Sequence, residues 1–122
     1  MAVEDGAVLG RLLGLFSRRI EGCDRSGLPS LLREYQELRK DRTTTVVKTA
    51  TGLRELYHMV DGAQQQERDR LLGTHDWWDE SGSFPWVFAD WGHLNGLYGF
   101  DALKSADDAF VRWYGDGSAV GA

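Results

Sequence analysis

Apolar side chains recur at intervals of three and four residues through most of the first 72 positions of this chain. This interval matches the period of an α-helix with one buried face. The clearest stripe comprises Val8, Leu9, Leu12, Leu13, Phe16 and Ile20. Asp5 is the expected N-cap, because its carboxylate can accept from the open N–H groups of a first turn. The pattern therefore predicts a first helix that ends near Gly22.

A second stripe follows a turn around residues 24–27. Pro29 suits the first turn of a helix, where its missing N–H costs nothing. The apolar face comprises Leu28, Leu31, Leu32, Tyr35 and Leu38, and the charged residues expected to be solvated are Arg33, Glu34, Glu37, Arg39 and Lys40. Because acidic residues interleave with the basic ones, residues 33–48 are interpreted as a salt-paired helical surface. Two helices joined by a short turn predict an antiparallel hairpin.

Residues 42–52, RTTTVVKTATG, carry many β-branched side chains and would suit a strand on propensity alone. Their spacing favours a helix, because apolar residues between Val46 and Leu71 step by four and three instead of alternating. We expect a helix from about Thr43 to Leu72, with a break near Gly62. For residues 43–50 the strand remains the alternative.

The helical period disappears beyond Gly73, where glycines separate short aromatic runs. Four of the five tryptophans fall between Trp77 and Trp91. The run WVFADW, residues 86–91, suits a short strand or a helical turn equally well. A last helix is expected over 105–115, capped by Ser105, with an apolar face formed by Ala106, Ala109, Phe110 and Trp113. Residues 116–122 are expected to form a flexible tail. The fold class predicted is mainly α: a small bundle of three to four helices with an irregular aromatic and glycine-rich segment, 74–104, between the third and last helices.

The length of 122 residues predicts a single domain, residues 1–122, whose helical part covers 5–73. A lone Cys23 cannot form an internal disulfide and is interpreted as a small apolar residue on a helix face. The first ten residues carry acidic side chains where an export signal would carry basic ones, and no apolar run approaches the roughly 18 residues of a membrane span. These features predict a cytoplasmic protein.

Charge is distributed unevenly along the chain. Residues 1–73 contain 12 basic and 11 acidic residues, a balance of +1, whereas residues 74–122 contain 2 basic and 8 acidic residues, a balance of −6. Affinity for nucleic acid depends on neutralising phosphates with lysine and arginine. The acidic second part therefore argues against direct binding of nucleic acid, and its repulsion from anionic lipid argues against a membrane partner.

Aromatic rings flanked by charges are typical of protein interfaces. The sequence therefore predicts a non-catalytic interaction protein, such as an accessory subunit, an assembly component or an inhibitor, whose partner has a basic or grooved surface. The candidate partner-binding residues are Trp77, Trp78, Trp86, Phe88, Trp91, Asp76, Asp79, Glu80 and Asp90. The alternative for the rings is a lid over the core of the bundle.

Three other hypotheses remain open at this stage. An acidic inhibitor could cover the basic groove of a nucleic-acid-handling protein. A small metal-dependent enzyme could use His75, Asp79, Asp90 and His93, although their spacing matches no strong metal motif. A homo-oligomer could pack the long helix over 43–72 and the aromatic segment against copies of themselves. We identify no activated nucleophile and no glycine-rich phosphate loop, so no catalytic residue and no cofactor is predicted.

Overall fold

A computed structural model describes residues 1–19, 24–79, 81 and 86–115. The five α-helices of these residues are α1 (Ala2–Ser17), α2 (Leu28–Tyr57), α3 (Ala63–Thr74), α4 (Trp91–Tyr98) and α5 (Ala102–Gly115). A single 3-10 turn, Val87–Ala89, precedes α4. The described part of the chain contains no strand. The mainly α fold is therefore confirmed, whereas the predicted count of three to four helices is too low.

The chain divides into two compact units, and the boundary lies within α2, after Val46. The first unit contains residues 1–46 together with the chain from Asp101 onward, and the second contains Val47–Phe100. The single domain expected from the length stays a prediction. The calls on Cys23, on Glu80 and on the tail 116–122 fall outside the described residues.

The core of the first unit is built from α1, the first half of α2 and α5. Its buried members are Val8, Leu12, Phe16, Leu31, Ala106, Phe110 and Trp113. These residues come from the predicted apolar stripes, because one face of each helix must leave water for the unit to be stable. Leu13 and Leu32 differ from the prediction, since both remain exposed at the edges of their stripes.

Helices α1 and α2 run in opposite directions, as their contacts at the two ends indicate. Glu4, in the first turn of α1, pairs with Arg42 of α2. At the other end of α1, the Phe16 ring lies 6.0 Å from the Trp113 ring, and the Trp113 Nε1 donates to Ser30 Oγ at 3.2 Å. The helical hairpin expected from the short turn is therefore present in this unit.

Residues 28–57 form one continuous helix of 30 residues, so the predicted boundary near residue 42 is wrong. No proline or capping signal interrupts the chain there. The threonines that favour a strand on propensity are accommodated because their hydroxyls bond back to the preceding turn. Thr43 Oγ1 donates to the Arg39 carbonyl at 2.9 Å, and Thr51 Oγ1 donates to the Val47 carbonyl at 3.0 Å. The helical interpretation of residues 43–50 is confirmed.

The break expected near Gly62 separates α2 from α3. Gly62 precedes α3 with φ 154° and ψ −169°, a backbone conformation that residues with a Cβ rarely adopt.

We expect Gly62→Ala to lower the free energy of unfolding by about 1–3 kcal/mol, measured by urea denaturation. Gly10→Ala is the matched control, because Gly10 is helical with open space around its Cβ position and should gain about 1 kcal/mol. Equal effects of the two substitutions would contradict the assignment of strain to Gly62.

Two capping aspartates explain why helices in the second half of the chain begin at positions that differ from the prediction. Asp90 Oδ1 accepts from the His93 N–H at 2.7 Å and begins α4, a helix that the sequence pattern did not predict. Asp101 Oδ1 accepts from the Lys104 N–H at 2.8 Å, so α5 begins at Ala102 and not at Ser105. Met1 is likewise the N-cap of α1, where Asp5 was expected. The carboxylates of Asp90 and Asp101 each accept from a backbone N–H that has no partner within its helix.

None of the helices in the described ranges, 1–19, 24–79, 81 and 86–115, combines the length and the hydropathy needed to cross a membrane.

Candidate functional site

Phe88 is the centre of an aromatic cluster in the second unit. Its ring lies 6.1 Å from the Tyr57 ring, 6.5 Å from the Trp77 ring and 6.4 Å from the Trp86 ring, and the last pair is stacked with an interplanar angle of 5°. Trp91 joins the cluster through its indole, whose Nε1 donates to the Trp77 carbonyl at 3.4 Å. Four of the predicted ring residues are therefore brought together, and Tyr57, which was not among the candidate residues, is a further member of the cluster.

The cluster is partly buried and partly exposed. Trp86, Phe88 and Trp91 are half-buried, whereas Trp77 is 53% exposed and Trp78 is 84% exposed. The adjacent rings of Trp77 and Trp78 do not both turn inward, since Trp78 remains largely exposed, whereas Trp86 and Phe88 are both half-buried. The cluster therefore has a packed part and an exposed part, and the assignment of its rings to partner binding stays a prediction.

The carboxylates of the aromatic segment bond to their own backbone. Asp76 Oδ1 accepts from the Trp78 N–H at 2.9 Å, and Asp79 accepts from the N–H and the hydroxyl of Ser81, each at 2.9 Å. Asp90 caps α4. These contacts stabilise turns and a helix end, which is the usual local role of aspartate. A basic partner for them stays a prediction.

The candidate metal ligands are distributed over different local structures. His75 packs edge-on against Trp77, with ring centroids 4.7 Å apart, while Asp79 and Asp90 hold a turn and a helix end. His93 lies in the first turn of α4. Within the described residues, no group of three or more histidine, cysteine, aspartate or glutamate side chains is placed to hold a metal ion.

An ion-pair cluster around the buried Arg39 of the first unit was not predicted from the sequence. Arg39 is only 4% exposed, and its Nε donates to Asp5 Oδ1 at 2.8 Å while its Nη2 lies 2.6 Å from Glu4 Oε1. Arg42 also binds Glu4, with Nε–Oε1 and Nη2–Oε2 distances of 2.6 and 2.9 Å. The prediction that the Arg39 side chain lies on a solvated helix face is therefore wrong. Its spacing of four and eight residues from Tyr35 and Leu31 was the signal that could have placed it on the buried face.

The two arginines lower the pKa of Glu4 to about 2, chiefly through the hydrogen bonds from Arg42 and then those from Arg39, against the opposing effect of burial. Because the pKa of Glu4 in the folded protein lies below the ordinary value of 4.5, its contribution to folding stability is complete above that value and is lost as the pH falls toward 2.

We expect the difference in urea midpoint between the wild type and Glu4→Gln to be constant near neutral pH and to shrink between pH 4.5 and 2. A difference that does not change over this interval would contradict the assignment.

The sequence resembles parts of two much longer monooxygenases. It is 40% identical over 114 residues to an FAD-dependent monooxygenase of Beauveria bassiana, a match that covers 91% of this chain and 24% of that enzyme. It is 33% identical over 87 residues to the 3-amino-4-hydroxybenzoate 2-monooxygenase of Streptomyces platensis, covering 71% of this chain and 19% of that enzyme. The chain thus spans about a quarter or less of the length of these relatives. No family model and no solved structure matches it.

These likenesses contradict the prediction of a non-catalytic accessory subunit, assembly component or inhibitor. Both relatives are named as oxygenating enzymes, and the first is named as dependent on FAD. The same finding removes the support for an acidic inhibitor and for a small metal-dependent enzyme built on His75, Asp79, Asp90 and His93. The rings that suggested an interaction protein occur in a chain related to part of an enzyme.

Proposed function

We propose that this chain forms the helical part of an FAD-dependent monooxygenase that acts on an aromatic substrate. The observation that carries the proposal is the 40% identity over 114 aligned positions, a match that covers 91% of this chain and is long enough to include helices of both units. The aromatic substrate class comes from the second relative, whose name specifies a hydroxybenzoate.

The described residues do not fit FAD by themselves. Proteins commonly hold the dinucleotide where a strand leads through a glycine-rich turn into a helix. Here Gly92 and Gly96 lie inside α4, and a 3-10 turn precedes that helix. The cavity of about 330 Å³ in the second unit is also too small to enclose a dinucleotide. We therefore propose that the flavin is held by elements corresponding to the remaining three quarters of the relatives.

The contribution of this chain is then structural support next to the flavin-binding part. Two features favour this role. The core of the first unit is supported by the Arg39 cluster, which fixes α1 against α2. Exposed apolar side chains on each unit, such as Val3 at 89% and Trp78 at 84%, provide surface that a larger enzyme could cover.

A graft tests the proposal. The segment of the Beauveria bassiana enzyme that matches residues of this chain is replaced by this sequence, and the chimera is purified. We expect it to retain bound FAD after gel filtration, measured by its visible flavin absorbance, and to consume oxygen when supplied with reductant and substrate. A chimera that folds by circular dichroism but loses the flavin would overturn the proposal.

Two controls accompany the graft. A deletion of the same segment should lose FAD, because the helical support is then missing. A graft that carries Trp113→Ala should lose FAD through a disrupted core, whereas one that carries Lys104→Ala, on the exposed face of α5, should not. Equal FAD retention by the graft and the deletion would show that the segment is dispensable for flavin binding.

A further inference from the structure

A cavity of about 330 Å³ lies in the second unit, between the second half of α2 and the 3-10 turn. Its volume falls within the range of cavities that bind small organic molecules. The lining residues are Lys48, Thr49, Gly52, Leu53, Leu56, Trp86 and Val87.

Most of the cavity wall is apolar and one part of it is flat. Leu56 is buried, and Leu53 and Trp86 are half-buried. The Trp86 indole lies parallel to the Phe88 ring, with ring centroids 6.4 Å apart, and contributes a planar surface to the lining. A flat hydrocarbon ring placed there gains both burial and an aromatic contact.

The polar groups of the lining favour an anion. Lys48 supplies a positive charge and Thr49 supplies a hydroxyl, while none of the described residues that line the cavity is acidic. Within the described residues, Lys48 forms no ion pair with another side chain. A ligand carboxylate can therefore bind here without displacing an acidic side chain from the lysine.

Gly52 explains why the cavity is open at its α2 wall. It lies in the interior of a long helix, where glycine is less favourable than alanine. A Cβ placed on Gly52 would meet no atom within 4 Å. A larger side chain would therefore enter open space without displacing protein atoms.

We propose that this cavity binds a planar aromatic carboxylate, with its ring against Trp86 and Leu53 and its carboxylate toward Lys48 and Thr49. The proposal is based on the cavity alone. It does not depend on the role of the chain in a flavoenzyme, since ligand binding and FAD retention are measured separately.

Calorimetric titration of the full 122-residue chain with cinnamate and with cinnamamide tests the proposal. The two probes share a shape, and only the first carries a negative charge. We expect cinnamate to bind about fivefold more tightly than the amide, since a solvent-accessible ion pair contributes on the order of 1 kcal/mol. Lys48→Met should remove this preference, and Lys40→Met, on the same helix but outside the cavity, should preserve it.

Glycine variants separate a binding cavity from a packing defect. Gly52→Leu should abolish the binding of both probes while helicity measured by circular dichroism is kept or increased. Gly73→Leu, the same change in α3 outside the lining, should leave both affinities within about twofold of the wild type. Failure of the wild type to bind cinnamate, or unchanged binding in Gly52→Leu, would overturn the proposal. A cinnamate preference that survives in Lys48→Met would do so as well.

Discussion

Replacing Trp113 by alanine is expected to lower the free energy of unfolding by about 3–5 kcal/mol, because the substitution removes a large ring from the core of the first unit. Trp113 is only 4% exposed. Its ring lies 6.0 Å from Phe16 and 5.5 Å from Phe110, so the cavity left behind would be surrounded by rings that cannot easily collapse into it. A domain of this size has about 5–15 kcal/mol of total stability, and the variant is therefore expected to lose a large part of it.

Urea denaturation followed by circular dichroism measures this effect. Trp78→Ala is the matched control, because Trp78 is 84% exposed and its removal should change the stability by no more than about 0.5 kcal/mol. Trp113→Phe should give an intermediate loss, since it preserves a ring but removes the hydrogen bond to Ser30 Oγ. If Trp113→Ala and Trp78→Ala had the same effect, the assignment of the core would be wrong.

Arg39→Met is the second substitution with a large expected effect, a loss of about 2–3 kcal/mol. Removing one partner of a buried ion pair usually costs about 3–5 kcal/mol, because the other charge is left without compensation. The cost is lower here for two reasons. The side chains of Glu4 and Asp5 are 22% and 27% exposed, and Arg42 continues to neutralise Glu4. Methionine retains the apolar part of the side chain, so the loss reports on charge and hydrogen bonding.

Thermal and urea unfolding of Arg39→Met should be compared with Lys40→Met, its exposed neighbour on α2, which is expected to be near neutral. A double-mutant cycle with Asp5→Asn then isolates the interaction between the two side chains. A coupling free energy near zero would mean that the Arg39 side chain stabilises the protein through packing alone. This result would contradict a stabilising role for the hydrogen bond from Arg39 Nε to Asp5 Oδ1.

The fold could be predicted to the extent that it depends on local pattern. The stripes around Leu12 and Leu31 correctly indicated which helix faces are buried, because a helix repeats every 3.6 residues whatever packs against it. Helix ends were less accurate. Asp90 and Asp101 are effective N-caps in a segment with no clear period, so α4 and the true start of α5 were not recognised.

The function was predicted incorrectly for a different reason. The prediction depended on complete active-site motifs, such as a phosphate loop or a nucleophile, whereas this sequence matches only 24% and 19% of the length of the two monooxygenases. Surface-type residues such as Trp77 and Asp76 then supported an interaction protein. That hypothesis was corrected only by the similarity to two monooxygenases, whose matches cover 91% and 71% of this chain.

The sequence by itself determined the helical class, the buried faces of α1, α5 and the first half of α2, and the break at Gly62, because periodicity and backbone preference act over a few neighbouring residues. Tertiary structure alone decided the burial of Arg39, the position of Phe88 among three rings and the cavity beside Gly52. Each of these depends on residues far apart in the chain: Arg39 meets Asp5 across 34 positions, and Tyr57 meets Phe88 across a similar distance. Such pairings follow from the packing of helices against one another, which no local pattern specifies.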